Sequence, residues 1–563
     1  MISQWFLACA ALLLPLPTSA PAQGVAARGG ASAMPKPKSS GRVFPAAFTD
    51  VAAAAGLTQP VVAGSALRSR YILEAMGSGV AFLDFDNDGW LDIFLVNGAR
   101  LDGVAPKSLL YRNNRNGTFT DVTARSGLTR TGWGQGVAVA DYDGDGFADL
   151  FVTYWGKNVL YRNTGAGAFE DATAAAGLAH SGIRWGSGAS FFDYDRDGDL
   201  DLFVANYLDF DLKTAPAPGR DSRCEWLGVP VFCGPRGLPF ARNYLYRNEG
   251  GGRFADASEA SGLGAPMKTY ALGVLTADLD GDAWPDLYVA GDSTRSLFYR
   301  NNRDGTFSER ASFTGLAYDE NGLEQAGMGL ALGDYDGDGL LDIAKTNFAD
   351  DYPNLYRNLG PQLGYTDRAL HAGLGINPQY VLWGALFADF DNDSWPDLFF
   401  SAGHVFQEVD ALKTPQRYRN PRLLYWNLGG GKFEQVAAVP GAHSSRGAAA
   451  GDFDNDGDLD ILVMNRNEPP SLLRNDNRSG NRWLMVNAPT GSIVRVKAGG
   501  RTLINVALSQ SSYYSANDPR VHFGLGQTDV VEELAVTWPD GAVRTWRNLK
   551  AGQVFNAVRE RVR

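Results

Sequence analysis

Along this chain the apolar residues come in short runs separated by Gly, Asn and Asp, a pattern of strands and turns rather than of helices. The runs follow a fixed order. A small-residue run such as GSGVAFLD or GQGVAVAD leads into an aspartate-rich stretch, and a second run such as IFLVN, LFVTY, LFVAN or LYVAG follows it. Next comes an L-Y-R-N element, at 110–113, 160–163, 245–248, 298–301 and 355–358, with worn copies at 424–427 and 472–475. A G-x-F-x-D element usually closes the unit, as in GTFTDV (117–122), GAFEDA (167–172) and GRFADA (252–257). Four strands in a unit of 50 to 60 residues predict a propeller blade. Seven such units fit a closed ring, which removes exposed sheet edges. The segment FTDVAAAAGL (48–57) matches FTDVTARSGL (119–128), and no F-x-D partner follows the seventh unit. The N-terminal strand is therefore expected to complete the last blade.

The aspartate-rich stretch is the most regular part of each unit, with Asp at loop positions 1, 3, 5 and 9. The seven sets begin with Asp84, Asp86, Asp88 and Asp92, then Asp141, Asp143, Asp145 and Asp149, then Asp193, Asp195, Asp197 and Asp201. They continue with Asp278, Asp280, Asp282 and Asp286, and with Asp334, Asp336, Asp338 and Asp342. The last two are Asp389, Asp391, Asp393 and Asp397, and Asp452, Asp454, Asp456 and Asp460. Carboxylates at alternate positions of a tight loop suit a hard cation that takes six to eight oxygens, so up to seven Ca²⁺ are expected. An EF-hand is excluded. Position 12 is Leu95, Val152, Val204, Val289, Lys345, Phe400 or Val463 and never Glu, and the flanks are β-rich. Ala283 and Ser394 replace the usual Gly at position 6, where a non-Gly residue is strained, so loops four and six are expected to bind more weakly or to turn differently.

Charge takes its meaning from these loops. The formal net charge is −12, which excludes a broad nucleic-acid-binding surface. Seven divalent ions would bring it close to neutral, so the acidity is mostly ligand charge held within the fold. Under extracellular calcium the ions are expected to staple each blade and not to act as a switch.

The N-terminus, MISQWFLACAALLLPLPTSAPAQG, has an apolar run from Trp5 to Leu16 and an Ala20-Pro21-Ala22 site, which reads as a cleaved signal peptide over 1–22. No Lys or Arg precedes the run. Residues 23–43 read as a flexible leader, and no later stretch of the mature chain reads as transmembrane. Secretion, or residence in a periplasm or at a cell surface, follows. Of the three cysteines, Cys224 and Cys233 remain after cleavage, and export makes a disulfide between them the expectation.

With these motifs in hand, the chain resembles FG-GAP/VCBS-type propellers, whose calcium loops are similar to those of integrin α-subunit heads. SSYYSANDPRVHFGLG (511–526), VTWPDG (536–541) and NLKAGQ (548–553) resemble the ASPIC/UnbV domain of the cartilage-acidic-protein-like family, and CEWLGVPVFCGPRGLP (224–239) and GHVF (403–406) are similar to motifs of that family. The resemblance implies an all-β protein: a seven-bladed calcium-binding propeller over 44–476 and a small β domain over 477–563, with an insertion at 209–243. Strands IVRVKA, LINVALS and VEELAVTW predict a sandwich for the tail. It also implies an interaction role, with an extracellular protein or glycan as partner.

No nucleophile elbow, zinc motif, Walker loop or C-x-x-C occurs, and His180, His371, His404, His443 and His522 have no metal-ligand spacing. Counting back from each first Asp, Glu74, Lys268 and Glu324 stand ten residues earlier, and Trp133, Trp185 and Tyr270 stand eight earlier. Gln135, Trp383 and Arg446 stand six earlier. Residues two apart on a strand share a face. If these strands are innermost, the side chains ring an axial funnel for an anionic, sugar-like or aromatic ligand. The competing reading is blade-to-blade packing with paired charges. Two functions follow: a binding module, or an enzyme that uses Glu74, Glu324 or Arg446 in the axial pocket. The 209–243 insertion, with Arg220, Arg223, Trp226, Phe232 and Arg236, and the 404–422 loop are further candidate surfaces.

Overall fold

Each repeat folds as one four-stranded antiparallel sheet, and most of its apolar runs are joined by connections too short for a parallel crossover. The computed structural model describes residues 33–220, 224–264 and 267–557; the expected signal peptide lies outside the described residues, as does Arg223. The first strands of the seven sheets are Val80–Leu83, Trp133–Ala140, Arg184–Phe192, Ala271–Ala277, Leu330–Gly333, Leu382–Ala388 and Ser445–Gly451. They touch one another in cyclic order, the last against the first, so they are the innermost strands of a closed, propeller-like ring. The seventh sheet is completed by Phe48–Asp50, which pairs antiparallel with Ser471–Asn475 and closes the circle. Sheets two and three are also joined directly, where Trp185 pairs with Trp155.

Burial falls from the axis outward. Second strands such as Asp201–Asn206 are buried throughout, whereas outer strands such as Phe169–Asp171 bury only their first residue. The outer strands are mostly three residues long and end in a carboxylate, which discourages pairing with another chain.

The L-Y-R-N element explains how the sheets stay together. Its asparagine ends the third strand and is buried in every repeat. In the first sheet Asn113 Nδ2 donates to Leu91 O of its own sheet at 2.9 Å and to Phe453 O of the seventh at 2.8 Å. The same link joins Asn163 to Phe85, Asn248 to Tyr142, Asn301 to Tyr194, Asn358 to Leu279, Asn427 to Tyr335 and Asn475 to Phe390. Each sheet is thus bonded to the one before it, all the way around.

The tail forms two packed sheets. One has Val521–Gly526, Arg482–Asn487 and Gln553–Asn556; the other has Arg501–Val506, Ile493–Ala498, Val530–Thr537 and Val543–Lys550. Gly499 and Gly500, both at positive φ, make the tight hairpin between 498 and 501. Residues 33–43 have no regular structure but lie against sheets five and six. Met34 N donates to Gly375 O, Ser39 Oγ to Glu434 at 2.6 Å, and Arg42 covers Trp426. That part of the expected flexible leader is docked, because its Arg, Ser and Met side chains find partners.

Replacing Asn301 with Ala orphans two buried carbonyls, each worth about 1–3 kcal/mol. The substitution is expected to lower the denaturation midpoint clearly, whereas Asn302→Ala, on the exposed turn beside it, is expected to change it little; urea unfolding of both variants checks this.

Candidate functional site

All seven aspartate loops fold alike. The N–H at position 6 donates to the first Asp, and the N–H at position 7 donates to the third, as in Gly146 to Asp141 at 2.9 Å and Phe147 to Asp145 at 3.0 Å. Loops four and six keep this scheme, with Ala283 to Asp278 at 3.0 Å and Ser394 to Asp389 at 2.7 Å. Ala283 and Ser394 do take positive φ, 74° and 76°, so the expected strain is present, but the turn is unchanged. Position 4 is left-handed as well, and Asn87, Arg196, Asn392 and Asn455 bear that strain without glycine.

The Asp at position 9 opens the second strand. Its Oδ2 accepts the N–H of position 2 and its Oδ1 accepts the N–H of the L-Y-R-N asparagine, as in Asp201 with Tyr194 and Asn248. Burial raises these carboxyls: Asp92 and Asp149 to about 8, Asp201 to about 9, and Asp286, Asp342, Asp397 and Asp460 well above the ordinary range. Neighbouring aspartates push in the same direction. Arginines of L-Y-R-N neutralise part of the charge from outside, Arg112 on Asp86 and Asp88 and Arg300 on Asp280 and Asp282. The inner oxygens have no partner. Oδ1 of Asp86, Asp195, Asp336, Asp391 and Asp454, all at position 3, is buried and unbonded, as is Oδ1 of Asp193 and Asp278 at position 1.

Carboxylate oxygens of Asp84, Asp86 and Asp92 lie within 4.8 Å of one another, as do those of Asp141, Asp143 and Asp149 and those of Asp334, Asp336 and Asp342. In loops three and four the group is Asp193, Asp195 and Asp197, and Asp278, Asp280 and Asp282. Orphaned, converging, all-oxygen donors fit a hard cation such as Ca²⁺.

The axis is not an open funnel. Residues Ser509–Ala516 of the tail run through the ring and are buried along their whole length. Their backbone and side chains bond the inner strands of four sheets. Ser515 Oγ accepts Val80 N, Tyr514 O accepts Val137 N at 3.0 Å, Gln510 Oε1 accepts Ala189 N at 2.9 Å, and Ser512 exchanges two backbone bonds with Leu330. A glycine stands five residues before each first Asp; at Gly273 and Gly329 it admits the adjacent inner strand, and in the other repeats it also makes room for this strip. A Cβ on Gly79 would sit 1.7 Å from Tyr514 O, and one on Gly447 would sit 2.6 Å from Ser515 Oγ. Sequence reasoning missed the strip, although a glycine at that position in all seven repeats was the signal of a close approach.

The residues expected around the funnel separate into three groups. Trp185, Tyr270 and Trp383 join the buried axial cluster, where Trp383 meets Tyr513 at 4.9 Å and Tyr270 stacks on Phe240 at 4.4 Å. Trp133 is half-buried against Trp155, and Gln135 accepts from Trp185 Nε1. Arg446 is fully buried, lies 4.0 Å over Trp383, and spends its N–H groups on carbonyls of Ala75, Gly403, His404 and Ser445. Glu74 turns back on its own loop and accepts the N–H groups of Ser65, Arg70 and Tyr71. Lys268 is exposed, and Glu324 pairs with Arg236 at 3.4 Å. These side chains do not share one face for a physical reason. Five inner strands carry a register shift between seven and four residues before the first Asp, as between Gly134 and Val137, and the two-residue alternation does not survive it.

The tail sits on the aspartate-loop side of the ring. Arg520 reaches Asn455 and Asp452 O, Asn481 reaches Asp391 O, and Arg501 covers Trp395 at 3.5 Å. Alternation of strand direction sends the loops between strands two and three to the other side, and with them the insertion and the 404–422 loop. Cys224 and Cys233 are disulfide-bonded there. Trp226 Nε1 donates to Gln416 at 2.9 Å, Phe232 packs on Phe406 at 4.7 Å, and Arg68 bonds Glu408 and Pro230 O, so three loops lock into one surface. Beneath it lies a cavity of about 50 Å³ bounded by Phe232, Phe348, Trp383, Phe406, Tyr207 and Asp292.

Comparison with known proteins agrees with this architecture. Residues 84–152, 141–204, 231–289, 278–344 and 416–463 match the FG-GAP-like repeat, and residues 487–562 match the ASPIC and UnbV domain. Cartilage acidic protein 1 of Xenopus tropicalis is 28% identical over 320 residues, 53% of this chain and 46% of that protein. The Homo sapiens protein of the same name is 26% identical over 329 residues, 54% and 45% respectively, so the match spans a little under half the length of these relatives. Among solved structures, an Agrocybe aegerita protein that recognises non-reducing terminal N-acetylglucosamine aligns over 70% of this chain and 87% of its own, with 16% identity and a TM-score of 0.37. Bacillus licheniformis rhamnogalacturonan lyase PL11 aligns over 70% and 71%, with 14% identity and a TM-score of 0.36. With FG-GAP repeats across half its length and an ASPIC/UnbV domain at its end, the chain belongs to the FG-GAP repeat family of proteins related to cartilage acidic protein 1.

Proposed function

We propose that the protein is an exported, calcium-stabilised interaction module that binds an extracellular protein or glycan through the loop face opposite its aspartate loops. The observation that carries this reading is a set of exposed apolar side chains on that face. Leu67, Val104, Ile183, Leu227, Phe240 and Leu323 all stand on loops that leave the ring on that face, and Leu67 is 87% exposed. Exposed apolar groups on a rigid, disulfide-held loop surface are the mark of an interaction site. The aspartate-loop face is largely occupied by the tail, and the axis is filled by it. The disulfide supports an oxidising compartment. Among the described residues no helix is long and apolar enough to cross a membrane.

Calcium's role in this reading is to carry the buried carboxylates in charged form. Position-9 carboxyls raised to about 8 or 9 are favoured uncharged in the cation-free fold. Their contribution to stability is full below the unfolded carboxyl value and is lost as pH rises through the folded one. In chelator, the unfolding midpoint is therefore expected to fall between about pH 5 and pH 9, and saturating calcium is expected to remove most of that fall. Thermal or urea unfolding with and without calcium across this range tests the claim; equal pH profiles in both conditions would refute it.

The binding face is tested with the double variant Leu67→Glu/Leu227→Glu against Val543→Glu on the tail, probed on glycan and extracellular-protein arrays. Any partner of the native protein is expected to lose at least tenfold in affinity with the first variant and to keep it with the second. The reverse order would move the site to the tail.

A further inference from the structure

The cavity beneath the disulfide-held loop has a chemistry of its own, whichever macromolecule the face above it binds. Asp292 is the one charged side chain among its lining residues. Asp292 is half-buried and lines the cavity. Oδ1 accepts the Ser293 hydroxyl at 2.9 Å and Oδ2 accepts the Tyr207 hydroxyl, which leaves lone pairs on both oxygens. No Lys, Arg or His nitrogen among the described residues lies within ion-pair distance of it. Arg236, the nearest cation, is held by Ser293 O at 3.1 Å and by Glu324. The rest of the wall is apolar and rich in rings: Phe232, Phe348, Phe406, Tyr207 and Trp383.

A buried carboxylate without a cation is costly unless something neutralises it. Four kinds of occupant can be weighed. An anion would meet Asp292, and the buried guanidinium groups nearby, Arg446 and Arg466, already have their N–H groups on protein oxygens. A neutral apolar molecule would leave the carboxylate as it is. A hard metal ion needs six or more oxygens, and rings cannot supply them. An organic ammonium satisfies both halves of the site, with charge against Asp292 and alkyl groups against aromatic faces. The volume, about 50 Å³, has room for roughly four waters, near the bulk of a methylated ammonium head.

We propose that the cavity framed by Asp292, Tyr207, Phe232, Phe348 and Phe406 is a binding site for a methylated ammonium group, either a small free cation or the head of a trimethyl-lysine side chain. The test uses the full mature chain with calcium and isothermal titration calorimetry. Choline and tetramethylammonium probe the free cation, a trimethyl-lysine peptide beside its unmethylated form probes the side chain, and 3,3-dimethyl-1-butanol is choline's uncharged isostere. At least tenfold preference for choline over the isostere, or for the methylated over the unmethylated peptide, is expected, and which pair shows it identifies the source. Asp292→Asn is expected to abolish the preference, and Met328→Trp, which fills the cavity while keeping the carboxylate, is expected to abolish binding. Equal binding of cation and isostere by the native chain overturns the proposal without any variant. So does the absence of binding by choline, tetramethylammonium and methylated peptide alike.

Discussion

In every repeat one carboxylate sits where three structures meet. The Asp at loop position 9 starts the second strand, ties down the loop through the N–H of position 2, and holds the N–H of the asparagine that bonds the neighbouring sheet. Seven such junctions make the ring, and each has to bury a group that water solvates well. Polar contacts from the protein cover only part of that cost. Two backbone N–H groups satisfy Asp92 and two more satisfy Asp84, but Oδ1 of Asp86 remains orphaned. Arginines on the outside supply part of the neutralising charge, and in the proposed reading calcium at the inner oxygens supplies the rest.

The second constraint is the hole in the middle. Seven inner strands crowd their backbones toward an axis too narrow for side chains at the closest approach, hence the glycines, and too wide to bond across. The tail resolves this by threading Ser509–Ala516 through the gap, so that its own carbonyls and hydroxyls satisfy strands of the ring. Tyr513 and Tyr514, stacked at 3.9 Å, fill the wider part. Ring and tail are thereby one folding unit in practice, although the sequence divides them. The consequence for function is an asymmetric molecule: one face committed to the tail, the other free to present loops over a ring-lined cavity.

Much of this was legible beforehand. The repeat count, the convergence of the loop aspartates, the closing strand Phe48–Asp50 and the Cys224–Cys233 bond all rest on local patterns whose physics is short-range, and those survive folding unchanged. The axial prediction failed at Glu74, Lys268 and Glu324 because those positions precede the strands, and on the five longer inner strands the register shift breaks the alternation. The strip through the axis was hidden because SSYYSAND carries no hydrophobic period; it is specified by what surrounds it, more than 400 residues away along the chain for Val80 and Ser515. Asp292 was invisible for the same reason, since its isolation from cations is a property of the assembled cavity alone.

Whether the seven loops hold cations, and how many, tests the calcium-stapled ring most directly. Metal analysis of the purified mature chain, after equilibration in calcium and removal of excess, gives that count. Close to seven calcium ions per chain, including loops four and six with Ala283 and Ser394, is the result predicted. Two or fewer would mean that arginines and protonation carry the buried carboxylates, and that the ring holds itself together without metal.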